Sequence, residues 1–441
     1  MAKLSYKAIS LLYLPLALSW TLMLMEAPLI NAFLARGAEA ELSLAAYGVA
    51  FSIILVVEAP ILMMLELSVA LSKNLSAFRA IRRFYVMIGL GVTALGVAVS
   101  YTPLCEILLC RLMNIPPAIA AMAVPTLRIL TWWSLPIGWR RIHQGILIRD
   151  GRTRVISIAT GVRLLVLCAT MLIGQSLNLL PGAPLGALAM LIVVTVEALL
   201  IHWAAQSSIR QRLPAEPSKS EVLTFRYLWL FYLPLAITTI MRQGIRPLIS
   251  AGIAAAPMAE LSLAAWPVAF SLTSMFWGPT MGLRQVTIAL TEDRVAWQRV
   301  SRFVLTVGLI LSGSLVVLSF TPLLGVVLSQ LFGLSEQLAR LAAPAARIMV
   351  LLPLGFSLHA LFTGLLVKQA RTSTVRTAKA LNLVVVGLTL FVGLRYGGLW
   401  GSVLGAAALT VGALMEAAWL YWRSQPAAKT LVGSTGGGTT V

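Results

Sequence analysis

Charge is what this chain has least of. Only 11% of its 441 residues are Asp, Glu, Lys or Arg, and mean hydropathy is +0.90. A water-soluble domain carries about a quarter charged residues, so a soluble globular fold is excluded. Acidic residues are the scarcer sign, 15 against 34 Lys and Arg. Cysteine is nearly absent: Cys105, Cys110 and Cys168 form an odd, scattered set with no histidine at metal-ligand spacing. That rules out a disulfide framework and leaves them as small apolar fillers, with no metal site expected. There is no GxxxxGK[ST] phosphate loop, no HExxH and no CxxC. A nucleotide-driven motor, a zinc hydrolase and a thiol oxidoreductase therefore find no support, and neither an enzyme nor a cofactor is expected.

What the chain does have is apolar length. Twelve runs of membrane-spanning size cover 8–34, 42–70, 83–101, 119–147, 155–177, 184–207, 226–253, 261–290, 302–321, 340–367, 376–395 and 399–422. The first continues into the fold and does not read as a cleavable signal. The excess positive charge lies in alternate loops. Lys73, Arg79, Arg82 and Arg83 follow the second run, Arg149, Arg152 and Arg154 the fourth, and Arg210, Arg212 and Lys219 the sixth. Arg294, Arg299 and Arg302 follow the eighth, and Lys368, Arg371, Arg376 and Lys379 the tenth. This positive-inside pattern puts both termini in the cytoplasm of a plasma or inner membrane. It assigns the basic balance to topology and anionic lipid, with no role for nucleic acid.

The two halves match without a gap at a shift of 219 residues: Pro15 to Pro234, Pro28 to Pro247, Glu41–Ala46 (ELSLAA) to Glu260–Ala265, Arg128 to Arg347, Gly145 to Gly364 and Glu197 to Glu416. With six spans per copy both copies keep one orientation, which is a parallel repeat. The expected fold is an all-α membrane protein of twelve transmembrane helices in two six-helix lobes around a central cavity. Its division is 1–208 as N-lobe, 209–224 as cytoplasmic linker, 225–423 as C-lobe and 424–441 as a disordered tail. Pro103–Pro117 and Pro322–Gln337 read as short interfacial helices. Pro28 and Pro247 remove backbone donors from the first helix of each half, and matched helix breaks point to a transporter's binding site.

Charges inside spans divide into two kinds. Arg128 with Glu197, and Arg347 with Glu416, occur in both copies at similar counted depth, which predicts a structural ion pair within each lobe. The others have no counterpart in the other half. Arg242, Arg246 and Arg284 fall opposite Met23, Ala27 and Leu65, while Glu26, Glu58 and Glu66 fall opposite Ile245, Trp277 and Gln285. Arg140, Arg141 and His143 lie opposite His359, Ala360 and Phe362. Arg242 and Arg246 are one turn apart, and guanidinium forks match carboxylate and phosphate oxygens. The candidate substrate residues are Arg242, Arg246, Arg284, Arg140, His143, His359 and Asn31. The coupling or gating candidates are Glu26, Glu58, Glu66, Pro28 and Pro247.

Several short stretches carry a family likeness: Pro15-Leu16 with Asn31, Ala46-Tyr47-Gly48, His143 with Gly145-Ile146-Leu147, Arg246-Pro247, Trp266-Pro267-Val268, and Arg347-Ile348 with Pro353 and Thr363-Gly364. Through them the chain resembles the progressive ankylosis family, a branch of the multidrug/oligosaccharide/polysaccharide exporter superfamily that includes the multidrug and toxic compound extrusion proteins. It departs where that family has Gln-Arg in place of Arg242-Gln243, and a Glu one position after Glu26. The resemblance implies export of small polyanions of the pyrophosphate, nucleotide or citrate type. The two-lobe fold suggests alternating access by rocking of the lobes, and a monomer among membrane lipids is expected. Two other readings stay open: a cation-coupled multidrug exporter using Glu26 and Glu58, and a non-transporting membrane scaffold or lipid-binding protein.

Overall fold

The computed structural model describes residues 5–211, 213, 223–369 and 372–433. Most of the 209–224 linker lies outside the described residues, as do Arg371 and residues 434–441. The helices of the first half are α1 (Tyr6–Leu24), α2 (Glu26–Arg36), α3 (Ala40–Val57), α4 (Ala59–Leu62), α5 (Met64–Leu71), α6 (Leu75–Tyr101), α7 (Leu104–Glu106), α8 (Pro117–Thr131), α9 (Ser134–Arg149), α10 (Thr153–Ser176) and α11 (Gly182–Gln211). The second half holds α12 (Phe225–Ala254), α13 (Ala259–Trp277), α14 (Leu283–Leu290), α15 (Arg294–Phe320), α16 (Leu323–Val326), α17 (Glu336–Ile348), α18 (Leu352–Lys368), α19 (Thr372–Val392) and α20 (Gly401–Gly433). No strand occurs among the described residues. Eleven helical stretches are long and apolar enough to cross a membrane, and the pair α8–α9, bent by 40°, makes a twelfth. The chain is an all-helical, multi-pass membrane protein.

The repeat extends to the devices that start and stop helices. Ser5 caps α1 and Thr224 caps α12; Asn74 caps α6 and Asp293 caps α15. In each case a side-chain oxygen takes one of the amides that the first turn leaves unpaired. Glu39 and Met258 hold the same left-handed backbone before α3 and α13. The stretches expected to be interfacial hold short helices, α7 and α16, each running into a π-helical turn, Ile107–Leu112 and Val327–Leu331. Two matched glycines set close helix contacts. A Cβ at Gly145 on α9 would run into Ser68 of α5 and stand 3.0 Å from the backbone nitrogen of Val69. At Gly364 on α18 it would stand 2.7 Å from Thr287 Cβ of α14. Small residues are what let membrane helices approach this closely. Gly145→Val and Gly364→Val are each expected to cost about 1–3 kcal/mol by overpacking, read as a lower melting temperature in detergent. An unchanged melting temperature would mean these contacts are loose.

Packing does not divide the chain where the repeat does. Among the described residues, one compact unit holds those up to Pro28, 256–258 and those from 265 on; the other holds those of 29–255 and 259–264. The first helix of each half has been exchanged. Within the first unit α1 packs on α14 and α15, and Tyr13 meets Phe303 edge-on at 5.5 Å. In the second unit α12 packs on α3, α4 and α6, and Tyr232 meets Phe84 edge-on at 5.3 Å. Tyr13 and Tyr232 are repeat partners, as are Phe84 and Phe303, so the same contact is made twice with the halves traded.

Two expectations are corrected here. Pro28 and Pro247 do not act alike. The chain breaks at Met25 between α1 and α2, where Pro28 leaves the Leu24 carbonyl without its amide donor, whereas α12 runs through Pro234 and Pro247 unbroken. The matched pair of broken helices is therefore a single break, in the first half. The stretch from residue 424, expected to be disordered, is helical as far as Gly433, where α20 ends; residues 434–441 lie outside the described residues.

Candidate functional site

Each unit holds one buried carboxylate cluster, at repeat-equivalent positions. In the unit of residues 29–255, Glu197 on α11 takes a short hydrogen bond from Arg140 Nη1 on α9 and another, at 2.9 Å, from Arg163 Nη1 on α10. Glu197 is 1% exposed, and Arg140 and Arg163 are 6% and 5% exposed. In the other unit Glu416 on α20 meets Lys379 Nζ at 2.7 Å, His359 Nε2 at 3.0 Å and Asn382 Nδ2 at 2.7 Å. The shift of 219 carries Arg140 onto His359 and Arg163 onto Asn382. The scaffold thus keeps the carboxylate and two polar positions facing it, and changes only how its charge is balanced.

The pairs expected between Arg128 and Glu197, and between Arg347 and Glu416, are not formed. Arg128 Nε donates to the Ser100 carbonyl at 3.2 Å and its guanidinium lies 5.3 Å from the Tyr101 ring centre. Arg347 repeats this on Ser319, at 3.0 Å, and on Phe320, at 5.8 Å. Both arginines are exposed and sit at the carbonyl end of a long helix, α6 or α15, where a cation meets the helix dipole and an unpaired carbonyl. Depth counted from the first apolar residue of α8 and α17 misplaced them: they lie level with the end of a spanning helix, while Glu197 and Glu416 lie in the middle of one. Arg128→Leu is accordingly expected to cost about 0.5–1.5 kcal/mol, the value of one hydrogen bond, in a chemical or thermal melt. A loss several times larger would restore the ion-pair reading.

The other candidates separate by burial. Arg242 is exposed and Arg246 half-buried, one turn apart on α12. Arg284 is exposed at the start of α14, within electrostatic range of His359. Glu66 is exposed in the first turn of α5. Glu26, which opens α2, is 8% exposed and Asn31 is 3% exposed. Glu58, at the join of α3 and α4, is fully buried; neither of its carboxylate oxygens has a partner in hydrogen-bond geometry among the described residues, and Ser134 is the hydroxyl it faces. Both imidazole nitrogens of His143 are used. Nδ1 lies 2.8 Å from the Trp139 carbonyl, so it carries the proton, and Nε2 accepts from His202 Nδ1 at 3.1 Å. Gln206 Nε2 closes the chain on His202 Nε2 at 3.1 Å. His143 is therefore an internal, satisfied group, and Arg140 is internal too, bound to Glu197 through Nη1 while its Nε has no partner in hydrogen-bond geometry among the described residues. Arg163, Lys379 and Asn382 were not among the sequence candidates. The signal for two of them was present, since Arg163 and Asn382 are polar at one repeat position inside otherwise apolar spans.

No family model and no curated protein matches the chain. Solved structures do. An inward-facing multidrug resistance MATE family transporter of the MOP superfamily aligns with a TM-score of 0.70 at 15% identity, over 97% of this chain and all of that one. A MOP superfamily transporter from Pyrococcus furiosus, described as having a binding pocket of reversed polarity that suggests a different function, gives 0.65 at 17% identity over 97% and 99%. The lipid II flippase MurJ, inward closed, gives 0.66 at 15% identity over 94% and 88%. The chain has the fold of these transporters. At this identity the likeness is one of fold, and chemistry has to come from the residues.

Proposed function

We propose that the chain is a membrane transporter that moves small polyanions, of the pyrophosphate, nucleotide or citrate type, by alternating access. The observation that carries this reading is which charges are reachable. Of the carboxylates counted inside the spans, Glu26, Glu58, Glu197 and Glu416 are buried and only Glu66 is exposed. Arg242 and Arg284 are exposed and Arg246 half-open. Within each unit taken by itself, the guanidiniums, Arg242 and Arg246 in one and Arg284 in the other, are more open to a ligand than the span carboxylates other than Glu66. Forked donors fit phosphate and carboxylate oxygens, and a charge at membrane depth is retained where it has a function. The resemblance to the progressive ankylosis branch points the same way; the basic loops would put both termini on the cytoplasmic side. The MATE likeness favours a second reading, cation-coupled export of cationic drugs through Glu26 and Glu58, but the full burial of Glu58 speaks against it as a ligand contact.

The test is uptake into liposomes of labelled pyrophosphate, nucleotide and citrate beside a cationic dye, with Arg242→Ala, Arg246→Ala and Arg246→Lys. Loss of either arginine is expected to weaken anion binding about tenfold to a hundredfold with little change in folding. Lysine at 246 restores charge without the fork, so it is expected to recover part of the loss. Variants that bind and move polyanions like the parent, or a parent that moves only the dye, would reject the anion reading.

A further inference from the structure

The two carboxylate clusters are built on one plan, with one chemical difference. Around Glu197 both cations are guanidiniums, which keep their charge at any working pH, so the cluster carries one net positive charge permanently. Around Glu416, an asparagine replaces the second guanidinium and a histidine the first, and Lys379 is added from α19. With neutral His359 the carboxylate and the ammonium cancel. With protonated His359 the cluster carries the same single positive charge as its twin.

We propose that the Glu416–Lys379–His359 cluster is a proton-binding site, at which His359 takes up one proton and thereby switches its unit to the charge that the Glu197 cluster holds permanently. The geometry specifies the atoms. His359 Nε2 lies 3.0 Å from Glu416 Oε1, close enough for the carboxylate to hold the imidazolium formed when the ring takes a proton from water. The His359 side chain is 19% exposed and Lys379 14%, against 1% for Glu416, so the cluster is reachable from the histidine side. The groups facing His359 are Glu416 from α20, Lys379 and Asn382 from α19, Arg284 from α14, and Thr363 on its own helix, whose Oγ1 is 3.5 Å from Nε2. The long helix α15 contributes uncharged Gly308 and Ser312 to its contact with α18. Nothing in the first half is equivalent: His143 and His202 bond each other and the Trp139 carbonyl, away from Glu197. For transport, which rests on the anion reading above, the added proton places one more positive charge near exposed Arg284 and strengthens the hold on an anion at acid pH.

Three histidines in the chain make the binding step directly observable. The purified, full-length protein in lipid nanodiscs is labelled with 15N-histidine and its imidazole nitrogens followed by NMR from pH 5 to 9. The signal missing from His359→Gln is expected to move from imidazolium to neutral-imidazole positions as pH rises across that range. The second arm is pyrophosphate uptake in liposomes over the same range. The parent is expected to lose uptake as pH rises. His359→Arg, which copies Arg140, is expected to hold the acid level throughout, and His359→Gln the alkaline level. An assigned His359 signal that stays put from pH 5 to 9 overturns the proposal. So does pH dependence of uptake that survives unchanged in both variants. If the NMR signal titrates but no variant moves pyrophosphate, the proton site stands and the anion reading fails. If His359→Arg does not fold, His359→Gln decides both arms.

Discussion

Glu197→Met is expected to destabilise the protein by about 3–5 kcal/mol, the cost of leaving a buried charge without its partner, and to show as a large fall in melting temperature and in the yield of folded protein. The carboxylate is shared: Arg140 and Arg163, from two different helices, both donate to Glu197 Oε2. Removing it leaves two positive charges, each at most 6% exposed, facing one another with Arg141 also in electrostatic range and, among the described residues, only the Glu58 carboxylate near Arg140 to offset them. Neither is able to neutralise itself by losing a proton, and neither sits at a helix end from which it would reach water. Methionine fills the space of the glutamate, so the loss reports charge and not a cavity. Glu197→Gln keeps an acceptor oxygen and is expected to fall between. Adding Arg140→Met and Arg163→Met is expected to return most of the stability, since a buried ionic group replaced as a whole by apolar residues costs little. A Glu197→Met protein that melts like the parent would mean that water or lipid headgroups already serve these arginines.

How much of this was legible beforehand depends on which physical signal each feature leaves in sequence. The spans and the repeat were legible because membrane crossing demands a run length, and because one register holds from Pro15 and Pro234 to Glu197 and Glu416. The helix exchange was not. Tyr13 and Tyr232 are equivalent residues facing equivalent phenylalanines, so the pattern reads the same whichever half each first helix joins. The proline pair misled for a related reason: Pro28 and Pro247 occupy one repeat position, yet only the first interrupts its helix. The ion-pair assignment failed on depth. Arg128 and Arg347 match in both copies because both cap a helix end, Ser100 or Ser319, and identity across the repeat reports a shared job without saying which. The partners of Glu197 and Glu416 had a fainter signature, positions polar in both halves but of different kinds, Arg140 against His359 and Arg163 against Asn382. Matching by identity passes over such positions, whereas matching by polarity inside an apolar run finds them. Arg242, Arg246 and Arg284 stood out in the sequence because each is a guanidinium unmatched by the repeat, although that signal alone did not separate them from Arg140, which is buried.

Glu416→Met is expected to cost less than Glu197→Met, below about 3 kcal/mol, and the difference follows from the same substitution pattern. Once the carboxylate is gone, Asn382 is neutral and His359 is able to stay neutral, so only Lys379 is left as an obligate charge. Its ammonium stands on a flexible stem, is 14% exposed, and reaches toward solvent more easily than the guanidiniums of the first half. The pair is separable by a double-mutant cycle. Lys379→Met alone leaves Glu416 with His359 and Asn382, two donors that continue to hold the carboxylate. Glu416→Met with Lys379→Met removes both charges and is expected to be milder than the sum of the single changes, by an interaction energy of about 0.5–3 kcal/mol. Measured by denaturant or thermal unfolding in one detergent, the expected order of loss is Glu197→Met, then Glu416→Met, then Glu416→Met with Lys379→Met. If the two glutamate variants lose equally, the histidine and asparagine do nothing that arginines would not, and the chemical difference between the halves has no energetic consequence. If the order is reversed, Lys379 is bound more tightly by the protein than its exposure indicates, and the second cluster is the more rigid of the two.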